Sequence, residues 1–282
     1  MYARVVRGLL AVTCLCGAGS ALAQTPGVSP EWHYSQGHLL DVYTHDSVPK
    51  WDRVLGVASS IEPKYEGGDA YSTGYGPTFD IRYRDIAFAS AGEGFGVNLV
   101  HTKTIRAGIA AVYNLGRDQD SDHFLGGIGD YSPAPAVKFF AEYELFPVTL
   151  RVAAHHTFGG EGGWVGDVSA YMPVAGKENV FFIFAGPSVE FTDQDNMRHQ
   201  FGVNAGQSAK SGFPGKYGYP QYYASSGIRD YSFGVSGGYF FTRHWLFEGF
   251  IGGEQLVGAA GHSPIVHERG QGVLQLTTDY RW

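Results

Sequence analysis

The sequence has 282 residues and a formal net charge of −7, and charged residues make up only 17% of it. Soluble domains carry roughly 25% charged residues, and a nucleic-acid-binding protein would show a basic stripe. The acidic balance therefore excludes nucleic acid as a partner. Glycine occurs 41 times and aromatic residues make up 15% of the chain. This composition is typical of a barrel in which only every second residue has to be apolar.

The N-terminus has the pattern of a secretory signal peptide. Arg4 and Arg7 precede an apolar run from Leu9 to Leu15, and Ala21-Leu22-Ala23 is a small-x-small cleavage site. The apolar run is too short to cross a bilayer as a helix, which needs about 20 residues. We therefore predict that residues 1–23 are a signal peptide that is cleaved on export.

The predicted signal peptide contains both cysteines of the chain, Cys14 and Cys16. The exported chain would therefore have no disulfide framework, thiol nucleophile or cysteine-based metal site. After the signal no apolar run reaches about 18 residues, so the sequence predicts no transmembrane helix. Residues 24–50 contain three prolines and no sustained periodicity. We interpret them as a periplasmic N-terminal segment.

The end of the chain, Val273–Trp282, alternates between apolar and polar residues with the period of a strand. One face would carry Leu274, Leu276, Thr278, Tyr280 and Trp282, and the other Gln275, Thr277, Asp279 and Arg281. An apolar face that ends in two aromatic residues is typical of a strand whose outer side faces lipid and whose aromatic residues lie at the membrane–water boundary.

Further segments with strand periodicity precede this closing strand, which makes twelve. They are Trp51–Ile61, Tyr75–Tyr83, Ile86–Ala91, Phe95–Val100, Thr104–Leu115, Pro135–Leu145, Val148–Phe158, Trp164–Val174, Val180–Phe191, Asp230–Phe241 and Trp245–Leu256. An open sheet edge in lipid would leave unpaired backbone groups. We therefore predict that Trp51–Ile61 pairs with Val273–Trp282 and closes the sheet.

The connections between the predicted strands alternate in length. Those after the even-numbered strands are tight, whereas those after strands one, five, nine and eleven are long, at 62–74, 116–132, 192–227 and 257–270. Outer-membrane barrels have short periplasmic turns and longer outer loops. The sequence thus predicts an all-β fold: a transmembrane antiparallel up-and-down β-barrel of about 12 strands over residues 51–282, closed by the C-terminal strand.

The faces predicted to point into the barrel carry charges of both signs. They are Arg53, Asp80, Arg82, Arg106, Lys138, Glu142, Glu144, Arg151, Asp167, Glu190, Glu248, Glu254, Asp279 and Arg281. One interpretation is a lattice of ion pairs that fills the interior, because a filled interior needs mixed signs. The other is a charged passage for small solutes.

Two features of the sequence resemble metal sites. Asp118–Asp122 begins like a calcium loop, but the sixth position is His123 where glycine is required and the twelfth is Gly129 where glutamate is required. His155 and His156 are adjacent and would point to opposite faces of a strand, so they cannot chelate one metal together. We predict no metal site.

Catalytic patterns are equally weak. Ser263 precedes His267 and Glu268, but the spacing indicates a proline-containing loop rather than a nucleophile with an oriented base. Gly92–Gly96 resembles a phosphate-binding loop but precedes a strand, not a helix. The sequence therefore predicts a protein that is not an enzyme, with no catalytic residues and no cofactor.

Several motifs together resemble the MltA-interacting protein (MipA/OmpV) family, and they run in order over nearly the whole predicted barrel. They are Val54-Leu55-Gly56-Val57, Pro63-x-Tyr65-Glu66-Gly67-Gly68-Asp69, Gly94-Phe95-Gly96-Val97-Asn98-Leu99, Phe201-Gly202-Val203, Ser208-Ala209-Lys210-Ser211-Gly212, Gly227-Ile228-Arg229-Asp230, Ser263-Pro264-Ile265-Val266 and Tyr280-Arg281-Trp282. The chain departs from the family in a longer Gly- and Tyr-rich insert at Phe213–Ser226 and in its final Trp282, where phenylalanine is commoner.

This resemblance implies an outer-membrane barrel of a Gram-negative bacterium, in contact with membrane lipid and lipopolysaccharide. For the namesake member it implies a scaffold that holds a murein lytic transglycosylase together with a penicillin-binding murein synthase. Other members of the family are described as porin-like or adhesive. The alternatives for this chain are a porin-like channel for small solutes, or a surface adhesin acting through the long loop 192–227 with its tyrosines. The family offers no catalytic residues.

Overall fold

A closed antiparallel barrel of twelve strands dominates the computed structural model, which describes residues 29–35, 49–160, 162–215 and 218–282. The strands are β1 Trp51–Pro63, β2 Tyr71–Tyr83, β3 Ala87–Ser90, β4 Gly94–His101, β5 Ile105–Asn114, β6 Ala134–Leu145, β7 Val148–Thr157, β8 Trp164–Lys177, β9 Phe181–Thr192, β10 Gly227–Phe240, β11 Trp245–Leu256 and β12 Gly270–Arg281. Their number and order confirm the prediction. The predicted signal peptide at residues 1–23 lies outside the described residues.

The first and last strands close the barrel, as predicted. β1 pairs antiparallel with β12 in a register that runs from Val54 opposite Arg281 to Ile61 opposite Leu274. Closure satisfies the backbone groups that an open sheet would leave unpaired in lipid. The bounds of the strands differ from the prediction by a few residues. β2, for instance, begins at Tyr71 because this residue pairs with Pro63 across the long β1–β2 hairpin.

The two ends of the barrel differ in their connections. The tight turns after β2, β4, β6, β8 and β10 lie at one end together with the start of β1 and the end of β12, and we call it the turn end. The long connections lie at the opposite end, which we call the loop end. This arrangement agrees with the alternation of lengths in the sequence.

The outer face of the barrel is apolar. Large side chains such as Leu55, Val57 and Ile251 point away from the lumen and are exposed. At the turn end, aromatic rings lie side by side: the ring centroids of Trp245 and Tyr280 are 5.1 Å apart. An apolar band bordered by aromatic residues is the surface that a bilayer requires of a transmembrane barrel.

Short helices fold over the loop end. They are α1 Gln194–Phe201, α2 Ala205–Lys210 and α3 Gly258–Gly261. Asp193 caps α1 by accepting a hydrogen bond from the backbone N–H of Asn196. Met197 and Phe201 of α1 pack against Leu256 at the end of β11. Among the described residues no helix has both the length and the apolar character needed to cross a bilayer.

The β3–β4 hairpin is shorter than the neighbouring hairpins, and its tip lies in the lumen. β3 pairs with β2 only from Asp80 opposite Ser90 to Tyr83 opposite Ala87, so the hairpin ends part-way along the wall. Glu93 at the tip is fully buried. A turn of this hairpin thereby supplies a charged group to the interior.

Candidate functional site

A short piece of the N-terminal region lies inside the barrel. This piece, Ser29–Ser35, contains a 3-10 helix at Glu31–Ser35, and we call it the lumen segment. Trp32 is fully buried. Its indole N–H donates to the carbonyl of Gly186 at 3.3 Å, and its ring stacks on Tyr171 with centroids 5.2 Å apart. These seven residues were expected to be periplasmic. Their apolar anchor instead packs in the lumen, while residues 24–28 and 36–48 lie outside the described residues.

One side of the lumen is filled by an aromatic and aliphatic cluster around the lumen segment. Its members are Trp32, Tyr171, Phe182, Phe184, Leu246, Phe250 and Val273, all of them buried. Glycine makes room for the segment on the other side: a Cβ at Gly92 would come within 2.7 Å of the ring of Tyr34. The wall and the segment are therefore closely packed against each other.

The opposite side of the lumen is filled by charged residues from β2 to β7. Glu93 accepts a hydrogen bond from Arg82 at 2.7 Å and forms an ion pair with Arg106 at 3.3 Å. Arg106 also reaches Glu142 at 3.2 Å, and Glu142 is paired in turn with Arg151. The network alternates in sign, which is the condition under which buried charges are tolerated.

The lumen segment joins this network through Glu31. The Glu31 carboxylate lies 3.4 Å from a guanidinium nitrogen of Arg151 and 3.5 Å from the ammonium nitrogen of Lys138. Arg151 is fully buried and also lies over the ring of Phe140, with 5.4 Å between its guanidinium carbon and the ring centroid. The charged lattice, the lumen segment and the aromatic cluster thus extend across the interior. These contacts agree with the interpretation of the inward charges as a lattice of ion pairs on the side of the barrel formed by β2 to β7.

The predicted inward face is correct except at Arg53. Arg53 shares the outward face of β1 with Leu55 and Val57, and its guanidinium carbon lies 5.2 Å from the ring centroid of Trp51. The inward charge at this position is its neighbour Asp52, whose carboxylate accepts two hydrogen bonds of 2.7 Å from Arg281. The periodicity of β1 already contained this signal, since Arg53 has the parity of the apolar residues. The bidentate pair joins the strands that close the barrel.

A cavity of about 240 Å³ remains between the lumen segment and the loop end. Its floor includes Ser29, Glu31 and Tyr34 of the lumen segment. Its walls and roof include Glu66, Arg117, His155, Asp167, Glu190, Gln200, Phe201 and Arg229. This cavity is therefore a chamber lined by charged and polar side chains, with the lumen segment at its floor.

Comparison with known proteins identifies the family. Residues 55–282 match the family model described as MltA-interacting protein MipA. The chain belongs to the MipA family. No curated protein matches the sequence.

Solved outer-membrane barrels are similar in architecture to this MipA-family barrel. The COG4313 outer membrane channel from Pseudomonas putida F1 is 10% identical with a TM-score of 0.39, and the match covers 85% of this chain and 98% of the channel. A bacterial polysaccharide outer membrane secretin is 8% identical with a TM-score of 0.38, and the match covers 82% of this chain and 97% of the secretin.

The acidic run Asp118–Asp122 has a structural role in this MipA-family barrel. Asp118 accepts a hydrogen bond from the N–H of Asp120 and caps one 3-10 turn, and Asp122 accepts from the N–H of Phe124 and caps the next. His155 lines the cavity, whereas His156 lies beside Trp164 on the outer face. The two histidines therefore lie on opposite faces, as predicted.

The remaining polar motifs bind the loops together. Ser263 donates to the carbonyl of Phe201 at 2.5 Å, whereas His267 is hydrogen-bonded to Tyr219 at 2.9 Å. Ser263 and His267 thus have separate partners. In the loop 192–227, Tyr222 donates to the carbonyl of Ala259. Two tyrosines of the predicted adhesive loop, Tyr219 and Tyr222, are therefore hydrogen-bonded to the neighbouring connection between β11 and β12. Tyr217 lies outside the described residues.

The sequence did not identify four of the residues that shape the interior. Glu31 and Trp32 lie in a segment without periodicity, and Glu93 lies in a turn. Arg229 precedes an inward residue, Asp230, and strict alternation would place it outside. A β-bulge between Ile228 and Asp230 turns both Arg229 and Asp230 into the lumen.

Proposed function

We propose that this barrel is a non-enzymatic scaffold of the outer membrane, with its lumen closed in the resting state. The observation that carries the proposal is the filled interior, in which Glu31 of the lumen segment is paired with Arg151 of the wall. A barrel that serves as an open porin needs a continuous aqueous passage. A barrel that holds partners needs a rigid body, and a lattice of buried ion pairs provides one.

The partners that we propose are a murein lytic transglycosylase and a penicillin-binding murein synthase. The family description names an MltA-interacting protein, which supports the first of them. The outer face would contact membrane lipid and lipopolysaccharide. Short turns are periplasmic in outer-membrane barrels, so the turn end is the face that would meet enzymes of the cell wall.

The turn end offers a basic surface for docking. Arg84, Lys103, Lys177 and Arg243 are exposed, each in or beside a different tight turn, whereas Glu178 is the exposed acid of the described turns. Complementary charge directs partners and sets specificity more than it adds affinity. We therefore expect the docking face of the partner to be acidic.

A pull-down with purified components tests the scaffold. The folded barrel should retain both the transglycosylase and the synthase, and charge reversal at the four turns (Arg84→Glu, Lys103→Glu, Lys177→Glu and Arg243→Glu) should weaken retention at least about tenfold. The matched control reverses two exposed charges at the loop end, Lys210→Glu and Arg269→Glu, and should retain both enzymes. If the unaltered folded barrel retains neither enzyme, the scaffold proposal is wrong.

The second candidate is a porin-like channel for small solutes. The cavity above the lumen segment supports it, because displacement of Ser29–Ser35 would extend that cavity toward the turn end. Planar-bilayer recording separates the two functions. The scaffold with a closed lumen predicts no conductance steps from the unaltered protein. Frequent steps without any change to the lumen segment would favour the channel.

A further inference from the structure

We propose that Glu66, Asp230 and Glu254 bind one calcium ion at the loop end of the lumen. One carboxylate oxygen from each residue lies within 4.8 Å of the other two. Calcium binds oxygen at about 2.3–2.6 Å, so oxygens on opposite sides of one ion lie about 5 Å apart. The three carboxylates are therefore spaced as ligands of a single ion.

Glu254 is the residue that most requires such an ion. It is 5% exposed, and neither of its carboxylate oxygens has a hydrogen-bond partner in the described part of the chain. A buried carboxylate without a partner is strongly unfavourable, and proteins satisfy such groups with an opposite charge or a metal ion. Since an oxygen of Glu254 lies within 4.8 Å of oxygens of Glu66 and Asp230, a cation between them would give Glu254 its missing partner and would be shared with the other two carboxylates.

The net negative charge of the surrounding cluster also favours a bound cation. Arg229 lies 3.0 Å from a carboxylate oxygen of Glu66 and 3.0 Å from one of Asp230. A second guanidinium nitrogen of Arg229, Nη2, lies 2.5 Å from a carboxylate oxygen of Glu190. With Glu254 the cluster has four carboxylates around this guanidinium, and Glu254 forms no ion pair among the described residues. A divalent ion on the side away from Arg229 would restore the balance of charge.

The fold places the three ligands in advance. The bulge of β10 turns Asp230 inward, and Glu254 lies on the neighbouring β11. Glu66 lies in the β1–β2 connection, which is fixed by Gln271: its side-chain oxygen accepts from the N–H of Gly67 at 2.7 Å, and its side-chain N–H donates to Gly68 at 2.6 Å. A bound ion would thus tie this connection to the wall.

The ligand chemistry favours calcium. The donors are carboxylate oxygens, without the imidazole or thiolate that zinc prefers. Magnesium requires near-octahedral geometry and retains several waters, whereas calcium accepts irregular sites of 6–8 oxygens, roughly. Because Glu66 borders the cavity, a hydrated ion can reach the site from that side.

Calorimetry on the folded protein tests the site. The chain from residue 24 onward would be folded in detergent without lipopolysaccharide, treated with a chelator and titrated with calcium chloride. We expect one ion per chain and a higher temperature for the loss of the folded band on a gel. Glu254→Gln should weaken calcium binding at least about tenfold, since a charged ligand is lost. Glu66→Gln should do the same, and because Glu66 lies outside the strands it tests the site even if the first variant does not fold.

Glu268→Gln is the matched control, because Glu268 is exposed at the loop end and lies outside the cluster. This variant should bind calcium as the parent does. The proposal is overturned if the parent takes up no calcium at ~10 mM, a concentration about tenfold above the dissociation constants of the weakest extracellular sites. It is equally overturned if zinc binds in preference to calcium, or if Glu268→Gln weakens binding as much as Glu254→Gln.

Discussion

Substitution of Trp32 by alanine should release the lumen segment from the barrel. Trp32 is fully buried, stacks on Tyr171 and donates to Gly186. Truncation of a buried tryptophan costs about 3–5 kcal/mol, and each 1.4 kcal/mol or so is a factor of ten in an equilibrium constant. The released population should therefore rise at least about a hundredfold. The barrel wall should stay folded, because its strand pairs do not include the segment.

Thiol labelling measures this release directly, since Cys14 and Cys16 lie before residue 24 and the chain from there on has no cysteine. A cysteine introduced at Ser35, which is fully buried, should react slowly in the parent protein. Its rate should follow the released population. The control is Lys103→Cys in an exposed turn, whose rate should not change.

A conservative variant refines the same measurement. Trp32→Phe keeps a ring against Tyr171 but loses the hydrogen bond to Gly186, which is worth about 1 kcal/mol. Its labelling rate should therefore fall between those of the parent and Trp32→Ala. If Trp32→Ala reacts at Ser35→Cys no faster than the parent while the barrel remains folded, Trp32 does not hold the segment in the lumen.

Three further outcomes can be checked. Burial lowers the pKa of His33 to about 4 against the opposing hydrogen bond to Gln275, from an ordinary 6.5. Protonation of His33 therefore favours the released segment, so the lumen segment is held most strongly above pH 6.5. At pH 5 the free energy that holds it should fall by at most about 2 kcal/mol, and labelling of Ser35→Cys relative to the exposed control should accelerate up to about thirtyfold. His33→Gln should remove this pH dependence. Arg151→Met removes one of the two guanidinium groups that pair with Glu142, the other being that of Arg106, and should cost about 3–5 kcal/mol of stability in urea unfolding. A double variant with Glu142→Met should recover part of the loss, and an unchanged midpoint for Arg151→Met would contradict a stabilising lattice. Trp282→Ala removes the aromatic end of the closing strand and should lower the yield of inserted barrel in membranes, whereas a normal yield would show that this ring is dispensable.

The strand order could be predicted because its signals are local. The alternation in β12 separates Leu274 and Tyr280 from Gln275 and Asp279, and the structure places these pairs on the outer and inner faces. Period two follows from the geometry of an extended chain, so each strand reports its own faces. The prediction that Arg53 points into the lumen was wrong, although strand alternation itself held: Arg53 is two residues from Leu55 and therefore lies on the same outer face.

The bulge in β10 shows where this local rule ends. An inserted residue makes two consecutive side chains face the same way, and only the pairing of β10 with β9 reveals it. Arg229 and Asp230 therefore both reach the lumen, and the carboxylate cluster around them became visible only in the folded chain. Glu66 and Glu254 are nearly two hundred positions apart in the sequence, so no motif spacing could have predicted that they lie together.

The sequence by itself determined the barrel: its twelve strands, its closure and its mixture of inward charges. The tertiary structure alone decided how the interior is filled. Trp32 bonds to a residue 154 positions away and His33 to one 242 positions away, in a segment too short to have a period of its own. Local periodicity fixes which way a side chain points. What it meets inside the barrel depends on which strands are brought opposite one another when the sheet closes.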